Sequence, residues 1–89
     1  MSIAFEWDER KAETNLQKHG VAFSLAILVW DDMQLRIVEA DARPEPRWMA
    51  IGTVLDRVLT VVFTQSGDTI RVISARPASR KERATYASP

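Results

Sequence analysis

Two β-branched runs set four residues apart constrain the last third of the chain most. Residues 58–64 read VLTVVFT and residues 69–75 read TIRVISA, and Gln65-Ser66-Gly67-Asp68 lies between them. Apolar β-branched runs joined by a short polar segment with a glycine make a β-hairpin. With the turn at Ser66-Gly67, Phe63 is expected opposite Ile70, Val61 opposite Val72 and Thr60 opposite Ile73. Side chains alternate across a strand. One face therefore carries Leu59, Val61, Phe63, Ile70 and Val72 and must be covered, while Thr60, Val62, Thr64, Thr69, Arg71 and Ile73 form a mixed face open to a ligand.

Arg76-Pro77 stops the second strand, because proline cannot donate to the ladder. Ser79-Arg80-Lys81-Glu82 fits the Ser-x-x-Glu capping box, so a helix is predicted to start near Arg80. Arg71, Arg76, Arg80 and Arg83 then gather near one end of the hairpin, with Tyr86 one turn further.

The chain has 89 residues, the size of one domain, taken as 1–89. With no cysteine and one histidine, neither disulfides nor a cysteine–histidine zinc site is expected, and no cofactor is. No apolar run reaches the length of a membrane span, and the first residues lack a signal-peptide pattern, so a cytoplasmic protein is expected. The net charge of zero hides an asymmetry: residues 1–55 hold six Lys/Arg against nine Asp/Glu, and residues 56–89 hold six against three. The cationic excess falls on the hairpin and its following helix. It reads as an anion site or as a solvated charged surface.

Ile3 to Trp7 alternates weakly, as a short edge strand would. Asp8 is a plausible N-cap, and Lys18-His19-Gly20 closes a helix over residues 9–18 with Ala12 and Leu16 inward. Ser24 is expected to cap a second helix with Leu25, Leu28 and Val29 inside, ended by Asp31-Asp32. Strands follow around residues 34–40 and 47–54, separated by a loop over 41–46 with two prolines. The expected fold is α+β: two N-terminal helices, a four-stranded antiparallel sheet and a C-terminal helix.

Several side chains can carry chemistry. His19 is the one group that titrates near neutrality, and it is either a general acid–base or a cation favoured at a helix C-terminus. Arg57, Arg71, Arg76, Arg80 and Arg83 can clamp phosphate oxygens or pair with the acidic first half. Tyr86 and Trp48 can stack on a base or pack as core and rim. Trp7 and Trp30 read as core. No clustered carboxylates, Gly-rich phosphate loop or serine–histidine arrangement is present.

The segments FEWDERKAETNLQKHGVAF, RW followed by IG, RVLTVVFT and IRVISARPASRKERATY together resemble the BrnT family of bacterial type II toxins. The resemblance runs from Phe5 to Tyr86 and rests on the pairing of WD-E-KA--N--KHGV-F with R-ISAR-A---ER--Y. It implies a RelE-like α+β ribonuclease that cuts RNA without a metal and arrests growth. It also implies a BrnA-like antitoxin with a ribbon-helix-helix DNA-binding part, through which the toxin dimerises and reaches operator DNA. Lys18, His19, Arg57, Arg71, Arg76, Arg80, Arg83 and Tyr86 occupy matching positions. On this reading Arg71, Arg76, His19 and Tyr86 are the catalytic set, and Lys18, Arg57, Arg80, Arg83 and Trp48 contact RNA. Two departures stand out: Ser66 replaces a basic residue before the hairpin glycine, and Pro46 intervenes after Glu45 before Arg47-Trp48. They keep open an alternative, a weakened toxin that only binds its antitoxin or RNA.

Overall fold

The structure, a computed structural model, describes residues 2–41 and 45–88. Its elements are β1 (Ala4–Glu6), α1 (Glu9–His19), α2 (Phe23–Ala26) continued by a 3₁₀ turn (Ile27–Asp31), β2 (Arg36–Asp41), β3 (Arg47–Val54), β4 (Arg57–Ser66), β5 (Thr69–Pro77) and α3 (Arg80–Ala87). The α+β class is as expected, but the sheet is five-stranded and mixed, in the order β1-β5-β4-β3-β2. The expected four antiparallel strands are β2 to β5. The fifth is β1, which pairs parallel to β5 with Ala4 opposite Thr69 and Glu6 opposite Arg71. An antiparallel meander leaves the outer edge of β5 bare, and β1 returns from the other end of the chain to cover part of it. Of the proline-bearing loop expected over 41–46, residues 42–44 lie outside the described residues.

Local chemistry sets the helix ends. The Asp8 carboxylate accepts from the N–H groups of Arg10 and Lys11 at 2.8 and 3.3 Å, and Gly20 closes α1 in the left-handed region at φ 71°. Leu16, expected inward, is 47% exposed, and Asn15 is the buried residue of this helix instead. The Asn15 amide lies against the edge of β5 that β1 leaves free. Its Nδ2 donates to the carbonyls of Val21 and Ala75, and its Oδ1 accepts from the Ala75 N–H. One side chain thus replaces a stretch of missing strand.

The second helix differs from expectation. It begins at Phe23 after Ala22, whose side chain makes no cap, and it passes into a 3₁₀ turn after four residues. Ser24 is exposed, because the chain enters the helix two residues earlier than a Ser24 cap requires. With three residues per turn, positions three apart share a side. Ala26 and Val29 are therefore buried while Leu28 is 44% exposed. The turn presses on β3 so closely that a Cβ on Gly52 would sit 2.9 Å from the Val29 Cβ.

The hairpin register is shifted from the expected one. Gly67-Asp68 forms the turn, and Phe63 lies opposite Val72. A shift by two keeps every side chain on its face, so Leu59, Val61, Phe63, Ile70 and Val72 are buried as expected. Trp30 meets Phe5 and Phe63 edge-on at 5.1 Å each, and Trp7 meets Phe23 at 5.9 Å. A bulge then interrupts β5: Val62 pairs with Ser74 and Thr60 with Arg76, leaving Ile73 extra. The extra residue changes the parity of the strand. Ile73 and Ser74 are both half-buried, and Ala75 returns to the core.

Candidate functional site

The β5 bulge builds the site. By strict alternation, Arg71 and Arg76, five positions apart, point to opposite faces. With Ile73 extra, Arg71 stands beside Thr64 and Arg76 beside Thr60, both on the face away from the main core. Bulges redirect side chains in this way beside binding sites.

α3 covers one end of this face. Ser79 accepts from the Glu82 N–H at 3.1 Å, and Glu82 Oε1 accepts from the Ser79 N–H at 2.8 Å, the reciprocal capping box expected from sequence. The same carboxylate grips Arg76 through two parallel bonds, Nη1 to Oε1 at 2.6 Å and Nη2 to Oε2 at 2.8 Å. Thr60 Oγ1, fully buried, donates to Glu82 Oε1 at 3.0 Å. Arg76, ahead of the Ser79 and Thr60 donors, holds the Glu82 carboxyl down at about 2 against the opposing effect of burial. Arg76 is thereby fixed in orientation. Arg71 pairs with Glu6 at 2.9 Å, but both side chains are about half exposed and the pair is weak.

Tyr86 ends α3 against the sheet. Its hydroxyl donates to Asp32 Oδ2 and accepts from Thr53 Oγ1 at 3.0 Å. Asp32 Oδ2 also takes the Thr53 N–H at 2.8 Å, and its Oδ1 takes the Gln34 N–H at 2.9 Å. The Tyr86 phenol lowers the Asp32 pKa, and Asp32 in turn raises that of Tyr86. The Tyr86 proton is thus committed to Asp32.

The other expected site residues divide by position. Lys18 and His19 line a cleft of about 300 Å³ between α1 and the bulge residues Ile73 and Ser74. They flank the same strand as Arg71 and Arg76. Arg83 Nη1 donates to the Ala78 carbonyl at 3.2 Å, and Arg80 is exposed on the first turn of α3. Arg57 is exposed beside the β3–β4 turn. Trp48, half-buried, lies opposite Phe63 and packs against the core, on the other face of the sheet from Arg71 and Arg76. Register alone decides this, since Trp48 shares the parity of Ala50 and Phe63.

From the sequence Glu82 is a cap residue and Asp32 a helix end, and nothing there marks Asp32, Thr53 or Asn15 for the contacts they make. The Ser-x-x-Glu spacing signals the cap but not the reach of that carboxylate to Arg76. Among the described residues, no three His, Asp or Glu side chains come together as metal ligands would.

The chain is thus a small α+β protein with Arg71 and Arg76 on one sheet face and a helix bearing Arg80, Lys81 and Arg83 beside it. Residues 7–82 match the profile of a family described as ribonuclease toxin, BrnT, of type II toxin-antitoxin system. The chain belongs to that family of ribonuclease toxins. No curated protein matches it significantly.

Proposed function

We propose that this chain is a metal-independent endoribonuclease of the cytoplasm, neutralised by a BrnA-like ribbon-helix-helix antitoxin. The observation that supports the reading is the β5 bulge, which sets Arg71 and Arg76 on one face, on either side of the strand segment that Lys18 and His19 overhang. No helix among the described residues is long and apolar enough to cross a membrane.

The reaction is transesterification. The RNA 2′-oxygen attacks the adjacent phosphorus, the O2′–P bond forms, and the P–O5′ bond breaks. The 2′-hydroxyl proton passes to a base and another reaches the departing 5′-oxygen, leaving a 2′,3′-cyclic phosphate. Arg71 and Arg76 stabilise the extra charge on the non-bridging oxygens, and the clamp on Arg76 makes that stabilisation preorganised. Arg76 meets phosphate with the N–H groups that Glu82 leaves free. His19 serves as proton acceptor, since imidazole is the side chain most often used as a general base and His19 overhangs the strand between the two arginines. Tyr86, its one proton given to Asp32, anchors the end of α3 beside the site in this scheme and is not the base. Lys18, Arg57, Arg80 and Arg83 hold flanking phosphates. The antitoxin carries the operator-DNA contacts and brings two toxins together.

The test is cleavage of a defined RNA by the purified chain with and without EDTA, with analysis of the product ends. Activity that survives EDTA and leaves cyclic phosphate or 3′-phosphate is expected. Loss of one transition-state contact in Arg71→Ala or Arg76→Ala is expected to lower the rate about a hundred- to thousandfold. Activity abolished by EDTA, or full activity in both variants, overturns the mechanism.

A further inference from the structure

The cleft between α1 and the β5 bulge is larger than the positions of Lys18 and His19 imply. Arg10 and Lys11 line it too, so four cationic or titratable side chains from one helix border about 300 Å³. Thr14 and Ser74 line the same space, and no carboxylate does among the described residues. None of the four joins an ion pair among those residues, where the pairs formed are Arg71–Glu6 and Arg76–Glu82. In a chain of zero net charge, a cleft lined by Arg10, Lys11 and Lys18 with no carboxylate among the described residues is a local choice rather than a reflection of composition.

The helix explains only half of that choice. Lys18 and His19 occupy the last turn of α1, where the dipole favours positive charge. Arg10 and Lys11 occupy the first turn, beside the Asp8 cap, where the dipole disfavours it. Their side chains make no hydrogen bond among the described residues, so the fold gains nothing evident from them. Residues that work against local stability and face a cleft are expected where a ligand needs them.

We propose that Arg10, Lys11, Thr14 and Ser74, with Lys18 and His19, form a subsite for the backbone of single-stranded RNA flanking the cleaved bond. The volume suits a ribose-phosphate unit, the cations meet its phosphates, and the two hydroxyls can donate to a ribose 2′-oxygen, an acceptor that a 2′-O-methyl group retains. The inference rests on the ribonuclease reading and extends the bound strand from Arg71 and Arg76 across the bulge onto α1.

The test is a salt titration of binding to a 2′-O-methyl oligoribonucleotide, which has no free 2′-hydroxyl and stays intact. The full-length chain is compared with Arg10→Ala/Lys11→Ala and with Lys81→Ala, which removes an exposed charge from α3. The double variant is expected to bind roughly tenfold more weakly, with the slope of log K against log salt smaller by about 1.4, or roughly 0.7 per phosphate contact. With cleavable RNA, its KM rises and its kcat holds. Its thermal midpoint is expected to stay level or rise, since two cations leave the N-terminal turn, so weakened binding is separable from unfolding. Unchanged affinity and slope, an equal loss in Lys81→Ala, or a loss confined to an acidic partner protein overturns the subsite. If the parent chain binds the 2′-O-methyl RNA through Arg10 and Lys11 but cleaves no unmodified RNA, the subsite stands and the ribonuclease reading falls.

Discussion

Glu82 joins three elements through one carboxylate, taking bonds from the α3 cap, from Arg76 on β5 and from Thr60 on β4. Its pKa lies at about 2 in the folded chain against an ordinary 4.5. A depressed carboxyl pKa stabilises the fold at pH values above 4.5, and that contribution is lost as pH falls through the window down to about 2. After allowance for screening at a partly solvated site, the shift corresponds to roughly 2–3 kcal/mol. Glu82→Gln is therefore expected to lower stability by about that much at pH 7 and to flatten the acid limb of the stability curve between pH 4.5 and 2. Urea melts of both proteins at a series of pH values test it. An acid limb unchanged in the variant shows that other carboxylates control acid unfolding. Asn15 makes the parallel case without charge. Asn15→Ala orphans the buried Ala75 N–H and removes donors from two carbonyls, so a loss of about 3 kcal/mol is expected. Asn15→Asp is expected to be at least as damaging, because a carboxylate would face the carbonyls of Val21 and Ala75. An Asn15→Asp protein as stable as the parent sinks this account of the β5 edge.

Elements with their signal in adjacent residues were legible in the sequence, and elements made by distant pairing were not. Asp8 and Gly20 bracket α1, and Ser79 with Glu82 starts α3, because capping is chemistry within one helical turn. β3 spans Arg47–Val54 as read. The weak alternation of residues 3–7 marks a short edge strand, and β1 is one, but its parallel pairing with β5 spans most of the chain and leaves no local trace. The bulge at Ile73 is equally silent, since Val72-Ile73-Ser74 reads as ordinary strand, yet it decides that Arg71 and Arg76 share a face. So the arginines of the site could be named from sequence, but not their geometry. The β3–β4 turn shows a local signal that was present and weak. Leu55 and Asp56 both adopt positive φ, at 49° and 68°, as the first and second residues of a tight hairpin turn. Asn-Gly suits such a turn, whereas leucine there costs about 1 kcal/mol or more. Leu55 is 79% exposed, so its side chain contributes little packing in return. Leu55→Asn/Asp56→Gly is expected to stabilise the chain by about 1 kcal/mol, raising the melting midpoint by roughly 4–8 °C. A midpoint that falls in calorimetry shows that the Leu55 side chain has a packing role.

At the scale of the molecule, the two sheet faces are held by different forces. One face carries the core, with Phe23, Val29, Leu59, Val61 and Phe63 buried between the sheet and the α2 segment. Among the described residues, the helix that covers the other is α3, eight residues long and with none of them buried. What ties α3 down is polar: the Glu82 fork at its start, and Tyr86 on Asp32 and Thr53 at its end. Segments with little buried apolar surface open at free energies below that of global unfolding. α3 is therefore expected to detach while the sheet stays intact. Because it carries Arg80, Arg83 and Tyr86 and clamps Arg76, such opening would loosen the site without unfolding the fold. Tyr86→Phe removes the hydroxyl and leaves Asp32 with its two backbone donors, so the loss falls on the attachment of α3. It is expected to weaken that attachment by about 1–2 kcal/mol. By hydrogen exchange, the α3 amides of the variant should then exchange roughly five- to thirtyfold faster, while the amides of β4 keep the parent rates relative to global stability. If α3 and β4 amides in the parent chain share one opening free energy, the helix is part of the global cooperative unit. The polar latch would then have no separate existence.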